Sequence, residues 1–95
     1  MAMSSLGVPL HQQGEVEAAR DAYQRAIDTG HPDYAPAAMF ALGRLLVEQG
    51  EVEGARDAYQ RAIDSGHPDH APAALRSLGV LLAEQGEVEG VVRLT

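Results

Sequence analysis

Two stretches of this chain have almost the same sequence. Residues 14–49 and 50–85 align without gaps at a shift of 36 residues, and 28 of the 36 aligned positions are identical. Repeats of this length are typical of folds in which one small unit of secondary structure stacks on the next, because a single unit cannot bury its own apolar face. This periodicity constrains the fold more strongly than any other feature of the chain.

The repeat also sets the expected boundaries. The same register continues on both sides, so we treat residues 1–95 as one domain. It consists of full units at 14–49 and 50–85, a partial unit at 1–13 whose second helix lies in 14–32, and a partial unit at 86–95. The predicted helices span residues 15–29, 33–49, 51–65 and 69–85, with shorter helices at 4–13 and 87–94. Pro9 is expected to distort or shorten the first short helix, because its ring clashes with the preceding turn.

Within each unit, apolar residues recur at the spacing of an amphipathic helix. In the first helix, Leu42 and Leu46 share one stripe, and Gly50 follows where a helix end favours a left-handed backbone. Asp69 is predicted to be the N-cap of the next first helix. The expected buried stripe of the second helix consists of Val52, Ala55, Ala58, Tyr59, Ala62 and Ile63. The chain is therefore predicted to be all-α.

Two glycines lie inside predicted helices. Gly43 and Gly79 occupy the same position of successive units, where glycine costs about 1 kcal/mol relative to alanine. Close crossing of a second helix would explain this cost. We expect Tyr59 to fill the gap between the small residues at such a crossing.

Composition narrows the range of functions. The chain has no cysteine, and its 14 acidic and 7 basic residues give a formal charge of −7. Disulfides and thiolate chemistry are therefore excluded, and binding to nucleic acid phosphates is disfavoured. No apolar run has the length of a membrane helix, and the first residues lack a signal-peptide pattern. We expect a cytoplasmic protein without cofactor or metal, which binds neither nucleic acid nor membranes.

The repeated positions resemble the signature of tetratricopeptide repeats. The residues that carry the resemblance are Leu42-Gly43, Leu46, Ala55, Tyr59, Ala62 and Pro68. The resemblance covers nearly the whole chain and implies a right-handed solenoid of helical hairpins that binds a peptide or a partner protein. The unit has 36 residues, whereas the family has about 34, and the extra length lies in the His-Pro-Asp loop. The large aromatic residue that the family has near the start of its first helix is replaced by Met39 and Leu75.

The differences between the two copies cluster in the first helix. Five of the eight differences lie there, and Phe40, Arg44 and Val47 form one stripe. This stripe faces away from Leu42 and Leu46, since positions two apart on a helix are separated by about 200°. The resemblance implies that first helices line a concave binding surface. The predicted groove residues are Phe40, Arg44, Val47, Arg76, Val80 and Ala83.

Other readings of this variable stripe remain open. Unconstrained surface positions can drift, and neighbouring first helices can contact each other. The acidic chaperone tails that some family members bind are held by lysine and asparagine, and this chain has neither. Arg44 and Arg76 could still hold a carboxylate bidentately, but we do not predict that ligand.

Several residues look chemical but fit structural roles better. His31-Pro32-Asp33 and His67-Pro68-Asp69 repeat with the period of the chain, so we interpret them as loops between units. His67, Asp69 and His70 lack the further ligand and supporting shell that a zinc site needs. Paired glutamates at the helix starts diverge on the helix surface, and no nucleophile has a base at a recognisable spacing. We expect no catalytic residue and no enzymatic activity.

An alternative function is self-assembly. Terminal units of solenoids normally need polar caps, and the apolar Val88, Val91, Val92 and Leu94 near the end of this sequence do not form one. Val91 and Leu94 replace the alanines at 55 and 58 and cannot pack as those do. The chain is therefore also a candidate for head-to-tail association into homo-oligomers or for a helix-swapped dimer.

Overall fold

The computed structural model describes residues 10–94 of the chain, with side chains for residues 12–86. This part of the chain folds into four α-helices and contains no strand: α1 (Leu10–Asp28), α2 (Tyr34–Glu48), α3 (Val52–Asp64) and α4 (His70–Leu94). Each helix packs against the next, and α2 also contacts α4. The predicted all-α stacking of helical hairpins is confirmed.

The turn between α2 and α3 forms as the glycine position predicted. Gly50 has a φ of +77°, a left-handed backbone that L side chains disfavour. The Gly50 N–H donates to the carbonyl of Val47 at 3.0 Å, and the Glu51 N–H donates to the carbonyl of Leu46 at 2.9 Å. These two bonds satisfy carbonyls that the helix end would otherwise leave unpaired.

The core lies where α3 packs between α2 and α4. Its buried members are Leu46, Ala55, Tyr59, Ala62, Ala74 and Leu81. Four of the six residues predicted for the stripe of α3 are buried, while Val52 and Ile63 are half-buried at its edge. Small side chains dominate because they let the helix axes approach, and the rings and leucines fill the remaining space.

Tyr59 occupies the helix crossing that Gly43 predicted. A Cβ atom on Gly43 would lie 2.5 Å from Cε1 of Tyr59, so the ring rests on the glycine backbone. The prediction fails at Gly79, whose Cβ position has no described atom within 4 Å. The sequence has no tyrosine for this second crossing. The residue one repeat after Tyr59 is Thr95, which lies outside the described residues.

Histidines, not aspartates, cap α2 and α4. Asp33 stands at the N-cap of α2 but makes no capping hydrogen bond with its side chain. Nδ1 of His31 instead accepts the N–H groups of Asp33 and Tyr34 at 3.1 and 3.2 Å. Asp69 stands directly before α4, at the predicted N-cap position, but His67 makes the capping hydrogen bonds there. The aspartate side chain is not needed as a cap, because the imidazole two residues earlier already accepts the free N–H groups.

The two His-Pro-Asp loops are linked through His67. Its Nδ1 accepts the N–H groups of Asp69 and His70 at 3.1 and 3.2 Å. Because Nδ1 is an acceptor, Nε2 carries the proton and donates to Oδ1 of Asp33 at 3.1 Å. The tripeptide therefore caps its own helix and ties one unit to the unit before it, a structural role as predicted.

The outer boundaries of the first and last helices differ from the prediction. The predicted break at residues 13–14 is absent because α1 runs through Gly14, and the predicted separate helix at 87–94 is the continuation of α4 through Gly86. A glycine inside a helix costs only about 1 kcal/mol. A turn at such a glycine forms only if packing of the following helix gains more than this cost. After Gly86 that packing would be poor, because Val91 and Leu94 stand at the positions where α3 has alanines. Residues 4–9, including Pro9, lie outside the described residues.

Candidate functional site

An open cleft separates α2 from α4, above the ring of Tyr59. Its volume is about 300 Å³. Arg44, Val47 and Glu48 form the wall on α2, and the wall on α4 consists of Ser77, Val80, Leu81 and Glu84. Val47 and Val80 are exposed by 36% and 55%, so apolar surface remains open to a ligand.

A second cleft repeats this arrangement one unit earlier. It has a volume of about 260 Å³ and is lined by Tyr23, Ala41, Arg44, Leu45 and Glu48. Each of these residues has its equivalent, 36 positions later, in the lining of the first cleft. Arg44 and Glu48 line both clefts. We call the two clefts together the groove.

Tyr59 supplies the polar floor of the first cleft. Burial raises the pKa of the Tyr59 phenol above its ordinary value of 10.0, and Glu48 adds to this rise. A hydrogen bond with Ser77 and the positive charge of Arg44 act in the opposite direction. In the second cleft Ala41 replaces Ser77, so Tyr23 has no equivalent hydroxyl partner at that position.

The charges on the two sides of the groove are unequal. Arg44 places its guanidinium 5.9 Å from the centroid of the Phe40 ring, a cation–π arrangement that holds it along α2. Glu48 and Glu84 line the groove one repeat apart. Neither carboxylate forms an ion pair or hydrogen bond with another described residue. The groove therefore offers two available acidic groups beside apolar side chains.

The structure brings three of the predicted groove residues together. Arg44, Val47 and Val80 line the cleft between α2 and α4. Phe40 is half-buried, with its ring centroid 6.0 Å from that of Tyr59 and 6.5 Å from that of His70. Arg76 and Ala83 are exposed on α4 but do not line the described clefts.

Several lining residues were absent from the sequence prediction. Glu48, Glu84 and Leu81 are the same in both copies, and a search for positions that differ between copies passes over them. Tyr59 was assigned to packing, which is correct, but it also lines the cleft. The sequence did contain a signal for the glutamates. Glu48 follows Arg44 by four residues, and Glu84 follows Val80 by four, so each glutamate lies on the same side of its helix as a predicted groove residue, one repeat apart.

Other polar clusters do not form a metal centre. Among the described residues, no three or more His, Asp or Glu side chains converge as metal ligands. His67 and His70 are close, with ring centroids 4.6 Å apart, but Nδ1 of His67 already accepts the backbone N–H groups of Asp69 and His70. No helix in the described part of the chain is both long and apolar enough to cross a membrane.

The comparisons with known proteins agree with this architecture. A family model described as tetratricopeptide repeat matches residues 1–35, 10–70 and 40–90. Comparison with curated proteins gave no match, and neither did comparison with solved structures. The family matches cover nearly the whole chain, and they coincide with the helical hairpins and the glycine–tyrosine crossing described above. The chain belongs to the tetratricopeptide repeat family.

Proposed function

We propose that this chain binds an extended segment of a partner protein along the groove. The observation that carries the proposal is the repetition of one cleft at successive units, with Arg44 and Glu48 shared between them. Repeated clefts suit an extended peptide, because successive side chains of the ligand reach equivalent positions. Tetratricopeptide repeats generally mediate protein–protein interaction. The proposal adds which surface binds the partner and what kind of ligand it binds.

The lining defines the chemistry of the ligand. Val47 and Val80 provide a site for an apolar side chain, since burying their exposed surface is favourable. Glu48 and Glu84 provide sites for a basic side chain of the ligand, and the formal charge of −7 attracts basic partners over longer distances. The preferred ligand is an extended peptide with an apolar residue flanked by lysine or arginine.

The remaining predicted residues flank this surface. Arg76 and Ala83 lie on the stripe of α4 that also contains Val80. Phe40 supports Arg44 from below, which fixes the position of its guanidinium. We propose that these three residues shape the edges of the groove, and that the chain acts as a binding module without catalytic activity or a cofactor.

A combinatorial peptide library tests the proposal directly. We expect peptides selected on the purified chain to be enriched in basic residues next to an apolar one. Glu84→Arg and Val80→Asp should each weaken the selected peptides by about tenfold or more, since each costs on the order of 1–3 kcal/mol at a groove centre. Gln60→Ala on the outer side of α3 is the matched control and should not change the affinity.

The same variants must leave the fold intact. Val80 and Glu84 are exposed, so their substitution should leave thermal unfolding nearly unchanged. Leu46→Ala removes a side chain that is 5% exposed and should destabilise the chain by about 2–5 kcal/mol. Selection of acidic peptides, or equal binding by the two groove variants and the wild type, would contradict the proposal.

A further inference from the structure

One face of α4 is apolar and uncovered. Leu82 is 43% exposed and Leu75 is 59% exposed. Leu46, which precedes Leu82 by one repeat, is only 5% exposed because α3 packs over it. An open cleft of about 370 Å³ between α3 and α4, lined in part by Leu78 and Leu82, borders this face. The surface of α2 that α3 covers is therefore present a second time on α4, where no described helix covers it.

Gly79 lies in the middle of this uncovered face. Its Cβ position has no described atom within 4 Å, whereas that of Gly43 is 2.5 Å from Cε1 of Tyr59. Glycine inside a helix is unfavourable by about 1 kcal/mol relative to alanine. An aromatic ring resting on Gly79, as Tyr59 rests on Gly43, would explain why glycine stands there.

The chain carries a helix with the required surface. Residues 15–28, within α1, differ from residues 51–64 only at Ala18, which replaces Gly54. Ala58 and Tyr59 of α3 are buried, but their equivalents on α1 are not: Ala22 is exposed and Tyr23 is half-buried. The packing face of α3 thus also recurs, on α1, where the described residues do not cover it.

We propose that α1 of a second copy of this chain packs on α4 in the way that α3 packs on α2. Tyr23 of the second copy rests on Gly79, and Ala22 lies against the exposed leucines of α4. Ala18 adds one methyl group near Leu82, where the corresponding Cβ on Gly54 would be 3.2 Å from Cδ1 of Leu46. Because Leu82 is exposed, its side chain has room to shift. This association does not depend on peptide binding in the groove.

Polar groups at the two surfaces are complementary in the same register. Inside the chain, Nε2 of His67 donates to Asp33 at 3.1 Å. One repeat along, Asp69 of one copy corresponds to Asp33, and His31 of the next copy corresponds to His67. The Nε2 of His31 and the carboxylate of Asp69 have no partner among the described residues.

An ion pair repeats in the same way. Arg20 binds Glu51 at 2.9 Å, linking α1 to the residue before α3. The corresponding pair across the proposed contact is Arg56 of one copy and Glu15 of the next. Among the described residues, Arg56 pairs only with Glu53, at 4.0 Å. Charge complementarity therefore favours the same alignment as the glycine and tyrosine.

The helix lengths are compatible with a partner from another chain. Packing of α3 on α2 requires the tight turn at Gly50, whereas helices from two chains need no connection. Both α1 and α4 continue as helix through Gly14 and Gly86, the positions equivalent to that turn. The contact joins two different surfaces, so it leaves one of each free and association can continue beyond a dimer.

Sedimentation of the full chain over a concentration series tests the proposal. We expect the mean mass to rise with concentration. Gly79→Ala adds a methyl group under Tyr23 and should weaken association by about tenfold or more, which corresponds to the usual cost of overpacking. Gly14→Ala is the matched control, because it adds the same methyl to an exposed glycine of α1 that has no described atom within 4 Å and lies about 180° around the helix from Tyr23. It should not weaken association.

Gly79→Ala cannot act by unfolding the chain, because alanine favours the helix. Its unfolding temperature in dilute solution should equal or exceed that of the wild type. A second pair of variants tests the alignment. Arg56→Glu and Glu15→Arg should each associate less than the wild type, and their mixture should associate more than either alone. A strict monomer at all concentrations, equal association of Gly79→Ala and Gly14→Ala, or no recovery in the mixture would overturn the proposal.

Discussion

The ring of Tyr59 rests on the backbone of Gly43, where a Cβ atom would lie 2.5 Å from Cε1 of the ring. This contact sets the distance between α2 and α3, because any side chain at position 43 would push the helices apart. Tyr59 is only 3% exposed, so its ring has little room to move. The same ring closes the floor of the cleft between α2 and α4, which makes one packing contact responsible for both the core and the groove.

Gly43→Ala should therefore destabilise the chain. The new methyl group overlaps the Tyr59 ring, and overpacking of this kind costs about 1–3 kcal/mol, against which alanine recovers about 1 kcal/mol of helix propensity. Gly79→Ala, the same change one repeat later, meets open space and should stabilise the monomer by up to about 1 kcal/mol. Urea unfolding of both variants in dilute solution measures the difference. A Gly43→Ala variant as stable as Gly79→Ala would contradict this assignment of Tyr59.

The sequence predicted those parts of the fold that depend on local patterns repeated in every unit. The apolar spacing placed Ala55, Ala58 and Ala62 in the core, and Gly50 marked the turn between α2 and α3. Gly14 and Gly86 occupy the same repeat position as Gly50, yet the helices run through them. Glycine permits a left-handed turn, but packing of the following helix decides whether the turn forms, and local sequence does not contain that information.

The candidate site was predictable to a smaller extent. Differences between the copies identified Arg44, Val47 and Val80, which do line the cleft. The glutamates at 48 and 84 were missed because they do not differ between copies. Phe40 packs half-buried against Tyr59, since the small residues of the crossing leave space that a large ring can fill. A difference between repeats can therefore mark either a residue that lines a cleft, such as Val80, or one that packs against a neighbouring ring, such as Phe40.

The raised pKa of Tyr59 predicts a loss of stability in alkali. The folded state holds the phenolic proton more tightly than the unfolded chain, whose tyrosines titrate at their ordinary value of 10.0. This stability is fully present below that pH and falls as the pH rises from there through the folded-state pKa. The unfolding temperature should be measured from pH 8 to a pH above the folded-state pKa of Tyr59. It should fall with pH in the wild type and fall less in Tyr59→Phe.

Tyr23→Phe is the control for this measurement, because it removes a hydroxyl from the half-buried equivalent of Tyr59. It should leave the alkaline fall in place. An alkaline fall of the same size in Tyr59→Phe and the wild type would show that another group is responsible.

The two histidine caps provide an internal comparison. His31 and His67 each accept two backbone N–H groups at the start of a helix, but only His67 also donates to an aspartate, Asp33. Replacing either histidine by alanine should cost about 0.5–2 kcal/mol, the usual range for loss of an N-cap. His67→Ala should cost more than His31→Ala by at most about 1 kcal/mol, because the side chain of Asp33 is 70% exposed and solvent weakens its bond to His67. Chemical unfolding of His67→Ala, Asp33→Ala and the double variant isolates the coupling between the loops. If the two single costs simply add, His67 caps α4 without joining the two units through Asp33.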